Sequence, residues 1–339
     1  MNSRQRVCDT LEHRKVDRPP RHLWTLPYIS MFRQEELARL QAAFPSDFTK
    51  APFQNGPSFA KGTPNVRGCY TDAFGCRWSV AEDGVAGEVK EPILSNYDAL
   101  DKFELPWEML RQRDLSEVDD FCRNTDRFVL QGTSIRPFER MQFLRGTENL
   151  FMDIALEEPG FLELKDRLHA FYLAELDGWC ATAVDGISFM DDWGSQRSTL
   201  ISPDAWRKYF KPLYQEYCSK IHAAGKFAFF HSDGNIQAIY PDLVEIGVDA
   251  VNSQLFCMDM EELGRQFAGK ITFWGEIDRQ HILPFGTPED VRNAVSRVAN
   301  AMRAPELRSG VIAQCEWSKM DSYENIAAVF EAWNQIFTS

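Results

Sequence analysis

The chain has 339 residues, with 37 Lys and Arg against 50 Asp and Glu and a formal net charge of −13; a nucleic-acid partner is excluded on this balance, because phosphate backbones are met by clustered cations. Hydrophobic residues make up 44% and charged residues 26%, which supplies a large core and excludes disorder. There is no run of 18 apolar residues, and the polar start Met1–Arg6 leads into no apolar segment, so neither a membrane span nor a secretion signal is expected.

Eight cysteines are scattered without a CxxC pair, which fits a reducing, cytoplasmic setting in which most are small buried hydrophobes. No repeat or Gly/Ser-rich linker divides the chain, so a single unit over 1–339 is expected. Residues 1–120 would carry the first strand and decorations. Pro and Gly recur from Pro45 to Pro64, and Thr71–Trp78 and Gly87–Ile93 flank the turn-like Glu82-Asp83-Gly84, which predicts a β-hairpin.

From about residue 125, short apolar runs alternate with amphipathic stretches, the pattern of βα units on a parallel sheet. The predicted strands are Phe128–Thr133, Gly186–Asp191, Phe227–His231, Ala250–Gln254, Ile271–Glu276 and Gly310–Cys315, each apolar enough to be buried on both faces. Ser202-Pro203 opens a helix over Trp206–Ala224 that Gly225 closes, Thr287-Pro288-Glu289-Asp290 opens another, and Ser322 caps the last. The predicted fold is an α/β (β/α)₈ TIM barrel with an irregular N-terminal extension.

Active sites of such barrels lie at the C-terminal ends of the strands. Here those ends carry Asp191-Asp192, His231-Ser232-Asp233, Asn252-Ser253-Gln254, Glu276-Ile277-Asp278 and Cys315-Glu316. His231 and Asp233, two residues apart, point to one side of an extended strand, a spacing that suits two ligands of one metal. Cys315 would add a thiolate, and His, Cys and carboxylate form a set that Zn²⁺ favours, with Glu316 or Glu276 as a fourth ligand or a base. Plainer readings stand beside these. Asp233-Gly234 is common turn chemistry, His231 suits a hydrogen bond inside a barrel, and Asp191-Asp192 suits a helix cap or a salt bridge to Arg197.

The motifs in their order resemble the uroporphyrinogen decarboxylase superfamily, which includes cobamide-dependent methyltransferases. The resemblance runs from Ser3-Arg4-Gln5-Arg6-Val7 and Asp17-Arg18-Pro19-Pro20 through Phe138-Glu139-Arg140, Leu144-Arg145-Gly146, Asp191-Asp192-Trp193-Gly194, Ser202-Pro203 and Lys211-Pro212. It closes with His231-Ser232-Asp233-Gly234, Gly275-Glu276-Ile277-Asp278 and the strand Gly310–Trp317. The decarboxylases carry an arginine-bearing segment after the first strand that pairs with tetrapyrrole carboxylates. The matching stretch here, Trp24–Ile29, has no arginine, so an acidic porphyrinogen would lose its charge-assisted partners.

The methyltransferase branch holds zinc with His-x-Cys on one strand and a Cys on the last. His231 and Cys315 match, and Asp233 replaces the first cysteine, a harder ligand than a thiolate. The resemblance implies zinc on His231, Asp233 and Cys315, with a methyl group passing between a corrinoid such as methylcobalamin and a small acceptor such as a thiol. Glu316, Glu276, Asp192 and Asp191 are the implied orienting or proton-transfer groups, and Asn252 and Gln254 the implied substrate contacts. Implied partners are a corrinoid protein and, as a monomer or homodimer, a second copy of the chain. A decarboxylase of a smaller substrate using Asp191, Asp192 and His231, or a non-catalytic ligand-binding barrel, are the alternatives.

Overall fold

In the computed structural model, which describes residues 1–338, the short apolar runs become strands of one parallel sheet. In chain order the strands are β1 (Arg21–Thr25), β2 (Phe48–Thr49), β3 (Gly68–Thr71), β4 (Arg77–Val80), β5 (Glu88–Val89), β6 (Phe128–Gly132), β7 (Gly186–Met190), β8 (Phe227–Ser232), β9 (Ala250–Ser253), β10 (Thr272–Trp274) and β11 (Val311–Trp317). Eight of them form a sheet in the order β1-β11-β10-β9-β8-β7-β6-β2, with every pairing parallel. The sheet curls until its two edges meet at the base, where Asp47 N–H donates to the Arg21 carbonyl (3.0 Å). With helices packed outside, this is the predicted (β/α)₈ barrel, and the six predicted strands appear with bounds shifted by up to two residues.

The predicted hairpin around Glu82-Asp83-Gly84 is the antiparallel pair β4–β5, and β3 adds a third strand across a further turn that falls inside the predicted strand Thr71–Trp78. Asp72 Oδ1 accepts from Phe74 N (3.0 Å) and Cys76 N (2.9 Å), and Gly75 takes φ +89°. Asp72–Cys76 is therefore the β3–β4 turn, and Glu82-Asp83-Gly84 lies in the connection of the β4–β5 hairpin, as expected. The helix expected over Trp206–Ala224 is two helices, Pro203–Tyr209 and Lys211–Ala223; Pro212 has no N–H with which to carry the first into the second. The Ser202 cap and the Thr287–Asp290 capping box form as expected, and Ser322 Oγ accepts from Asn325 N (3.1 Å).

Alternation along the strands sorts the barrel into two apolar layers. Phe48, Phe128, Leu130, Phe229, Ala250, Trp274 and Ile312 fill the interior. Val311, Ala313, Cys315 and Trp317 face the outer layer under the helices. The helix Ser3–Leu11 closes the base by adding Val7 and Leu11 to the interior cluster.

That helix is tied down through Asp47, which is fully buried. Its carboxylate accepts from Arg6 Nη1 (2.6 Å), Arg18 Nη1 (2.6 Å) and Arg21 N (2.7 Å). Arg6 also pairs with Asp17 (2.7 Å), which gives the Asp17-Arg18-Pro19-Pro20 turn its physical meaning. Burial opposes the charge on Asp47, yet the Arg18 guanidinium and the Arg21 N–H hold its pKa below the usual range. Truncating it leaves the Arg18 guanidinium, 22% exposed, without its carboxylate and the buried Arg6 with only the carboxylate of Asp17. Asp47→Ala is expected to cost roughly 3–5 kcal/mol in urea unfolding, the usual cost of breaking a buried pair from one side. A loss below 1 kcal/mol would mean that solvent reaches Arg6 and Arg18.

Candidate active site

His231 lies near the end of β8 with its side chain turned into the mouth. Its Nδ1 sits 2.6 Å from Asn252 Oδ1. The Asn252 amide nitrogen is committed to the Trp274 carbonyl and to Gln314 Oε1, so its oxygen is the group facing the histidine. An oxygen acceptor there requires the proton on Nδ1, which leaves the Nε2 lone pair free in the neutral ring. Nε2 points at Asp192 Oδ1 (3.5 Å) and Asp233 Oδ1 (3.6 Å), and Trp24 walls the ring at 5.3 Å between centroids.

The loops carrying the two aspartates are locked together. Asp192 Oδ1 accepts from Asp233 N (2.9 Å), and Gly194 N donates to the Asp233 carbonyl (3.0 Å). Gly234 has φ +78°, and a Cβ on it would overlap the Gly194 carbonyl. Asp-Asp-Trp-Gly and His-Ser-Asp-Gly are thus two halves of one close backbone crossing, and each half requires its glycine.

Asp233 Oδ1 is buried and has no hydrogen-bond partner among the described residues, whereas Oδ2 is held by Arg279. Arg279 also binds Glu316 Oε1 (2.7 Å) and Glu276 Oε1 (3.3 Å), so one guanidinium joins carboxylates from the ends of β8, β10 and β11. Burial works against its charge, but Glu276, Asp233 and Glu316 outweigh this and raise its pKa. Glu276 is buried, and that burial drives its own pKa well up despite Arg279.

One donor atom from each of Asp192, His231 and Asp233 lies within 4.8 Å of the others. Tetrahedral zinc with bonds near 2.0–2.1 Å sets its ligand atoms about 3.3 Å apart, close to the two distances measured from Nε2. A free imidazole nitrogen, an unpartnered carboxylate oxygen and a second carboxylate therefore fit a divalent cation.

Several predicted residues do other work. Cys315 does not join this set. Strand parity turns it into the outer apolar layer, fully buried, where burial drives its thiol pKa well up, so the ligand set drawn from the sequence is corrected at that position. Its neighbour Glu316 faces the mouth instead. Asp191 is buried and caps the helix Pro137–Arg145, accepting from Phe138 N (2.7 Å), Glu139 N (2.7 Å) and Tyr214 Oη (2.6 Å); it has no contact with Arg197 among these and no open side toward a substrate. Asn252 is buried as the partner of His231, which removes it from the expected substrate contacts. Gln254 stays at the rim, 3.0 Å from Gln196.

Three groups at the mouth escaped the sequence reading: Arg279, Trp24 and Glu139. Five carboxylates around one histidine call for a cation, and Arg279 directly follows Glu276-Ile277-Asp278. Glu139 starts the helix that Asp191 caps, and its Oε2 is buried without a partner among the described residues. Burial, then the charge of Asp192, pushes its pKa up to about 7.

A parallel (β/α)₈ barrel with histidine and carboxylates converging on its mouth defines an enzyme-type architecture. Residues 69–336 match the family model described as uroporphyrinogen decarboxylase (URO-D); the chain belongs to the uroporphyrinogen decarboxylase family. A methyltransferase from Methanosarcina mazei shares the fold with a TM-score of 0.72 and 14% identity, over 99% of both chains. An endo-beta-1,4-xylanase from Gloeophyllum trabeum overlays at a TM-score of 0.46 and 10% identity, over 96% of this chain and 99% of that one. A search of the curated proteins returns no match.

Glu139 makes the metal-free protein pH-sensitive. An acid whose pKa rises from 4.5 to about 7 on folding contributes fully below the lower value, and that contribution is lost as pH climbs to the upper one. Glu139→Gln should match the parent near pH 4 and gain on it steadily to pH 8, by up to about 3 kcal/mol. A constant difference across that range, in thermal melts of chelator-treated protein, would show that Glu139 is already ionised in the fold.

Proposed function

We propose that the protein is a metal-dependent methyltransferase that moves a methyl group between a corrinoid and a small acceptor such as a thiol. The observation that carries this reading is the free His231 Nε2 aimed between Asp192 Oδ1 and Asp233 Oδ1. Within this family the rival chemistry, decarboxylation of an acidic tetrapyrrole, wants cations where the substrate carboxylates lie. At the end of β1 the chain offers Trp24, packed on His231, and no arginine from there through Ile29.

His231, Asp192 and Asp233 would hold the metal, with zinc the best match to one imidazole and two carboxylates. The bound metal would lower the pKa of a coordinating thiol and keep it as thiolate. The residues around it divide the remaining work. Asn252 fixes the histidine tautomer, Arg279 holds Asp233 Oδ2 so that Oδ1 faces Nε2, and Trp24 keeps water from one side of the ring. Glu139 Oε2, near neutrality in pKa, is suited to accept the proton that a thiol gives up.

A lyase acting on a smaller acid is the second reading. It is favoured by the raised pKa values of Glu139 and Glu276, which suit them to protonate a carbanion.

Calorimetric titration with Zn²⁺ separates the assignments. About one zinc per chain should bind, with at least about tenfold weaker binding after His231→Ala, Asp192→Ala or Asp233→Ala. Cys315→Ala should leave binding unchanged. The loaded protein should then demethylate methylcobalamin in the presence of a thiol from a test panel. Zinc lost in Cys315→Ala and retained in Asp192→Ala would overturn the ligand set, and carbon dioxide release without metal would favour the lyase.

A further inference from the structure

Seven of the eight neighbour contacts around the barrel are strand pairings, and the eighth is not. Among the described residues no pairing joins β1 to β2, and above the single Asp47–Arg21 backbone bond at the base the two strands separate. Every residue of β1 is partly exposed, whereas β8, β9 and β10 are buried almost throughout. A cavity of about 490 Å³ occupies the gap, within the range of small-molecule sites. Its lining crosses the wall. Gln41, Lys50 and Arg127 stand at the outside, while Leu130, Ser188 and Trp274 belong to the interior, and Trp24 and Glu316 lie at its upper end.

The inner wall is largely aromatic, and polar groups from Ser188 and Glu316 stand beside it. His22 is stacked on Phe48 at 4.3 Å and on Trp274 at 5.5 Å, and its Nδ1 accepts from Trp274 Nε1 (3.1 Å). Trp24, which closes the upper end, is the residue that packs on His231. The gap therefore runs from the side of the barrel to the wall of the histidine site, and no ion pair or backbone bond crosses it above the base among the described residues.

We propose that the β1–β2 seam is a second entrance, through which a small organic molecule with an apolar body reaches Trp24, Glu316 and the His231 site from the side. Naming that molecule as the methyl acceptor rests on the function proposed above. A corrinoid bound over the barrel mouth would close the approach from above, and the seam would leave the second substrate a route from the side. Two substrates then bind in either order without one blocking the other.

The test places a reporter thiol inside the seam. Ser188→Cys in the full-length protein is treated with a small methanethiosulfonate, and modification of that position is followed by peptide mass spectrometry. Thr49→Trp from β2 and, separately, Thr25→Trp from β1 plug the gap. Gln254→Cys at the open mouth serves as the reference. The Ser188→Cys thiol should react in the native protein, and either plug should slow it by about tenfold, since reaction then waits on local opening. The Gln254→Cys thiol should keep its rate in the same plugged backgrounds. No reaction at Ser188→Cys in the native protein, or a rate that neither plug alters, would overturn the entrance. Neither metal nor corrinoid takes part, so failure here leaves the zinc titration standing, and failure of the titration leaves the entrance standing.

Discussion

Successive residues of a strand point to opposite faces, and in a barrel one face is the interior and the other lies under the helices. The whole site hangs on that parity. It brings His231 and Glu316 to the mouth from β8 and β11, and it turns Cys315, one residue away, into the apolar shell. A single-residue slip in β11 would reverse that choice, but the slip is blocked from both ends. Leu23 pairs with Cys315 and Trp24 with Glu316, and Trp317 is sunk among the outer helices with its Nε1 on the Asp321 carbonyl (3.2 Å).

Charge is the second organising constraint. Asp192, Asp233, Glu276, Glu316 and Glu139 gather around the mouth, and so many ionised carboxylates cannot share a partly buried space without compensation. Arg279 compensates three of them, burial keeps Glu139 and Glu276 inclined toward the neutral form, and the Asp192–His231–Asp233 corner is left for a cation. The apolar walls around it, Trp24 above all, strengthen each of these interactions by lowering the local dielectric.

Much of the barrel was legible because strands buried on both faces write themselves as continuous apolar runs; Phe227–His231 needed little else. β2 was not legible, since two residues, Phe48 and Thr49, carry no periodicity. The hairpin around Glu82-Asp83-Gly84 was legible from its turn composition, whereas the β3–β4 turn inside the predicted strand Thr71–Trp78 was not, because it is made by one carboxylate, Asp72, bonding forward to two backbone N–H groups. At the site, residue types and strand ends pointed correctly to His231, Asp192 and Asp233 as neighbours. Parity was the missing term for Cys315. From their strand-end positions Asn252 looked like a substrate contact and Asp191 like an orienting or proton-transfer group, but their hydrogen bonds run to His231 and to a helix start, contacts over 21 and about 50 residues that no local pattern encodes.

The lone attachment of β1 also bears on how the polypeptide can assemble. Among the described residues its strand partner is β11, some 290 residues further along the chain, so during synthesis the first strand waits for the last one before it gains a ladder. Until then Leu23 and Trp24 have no strand to pair with. Contacts of such long sequence separation carry a large closure cost and slow productive collapse. Until β11 is made, β10 at one side of the sheet and β1 at the start of the chain both lack the neighbour that joins them, so the barrel can close only when its final strand slots between the two.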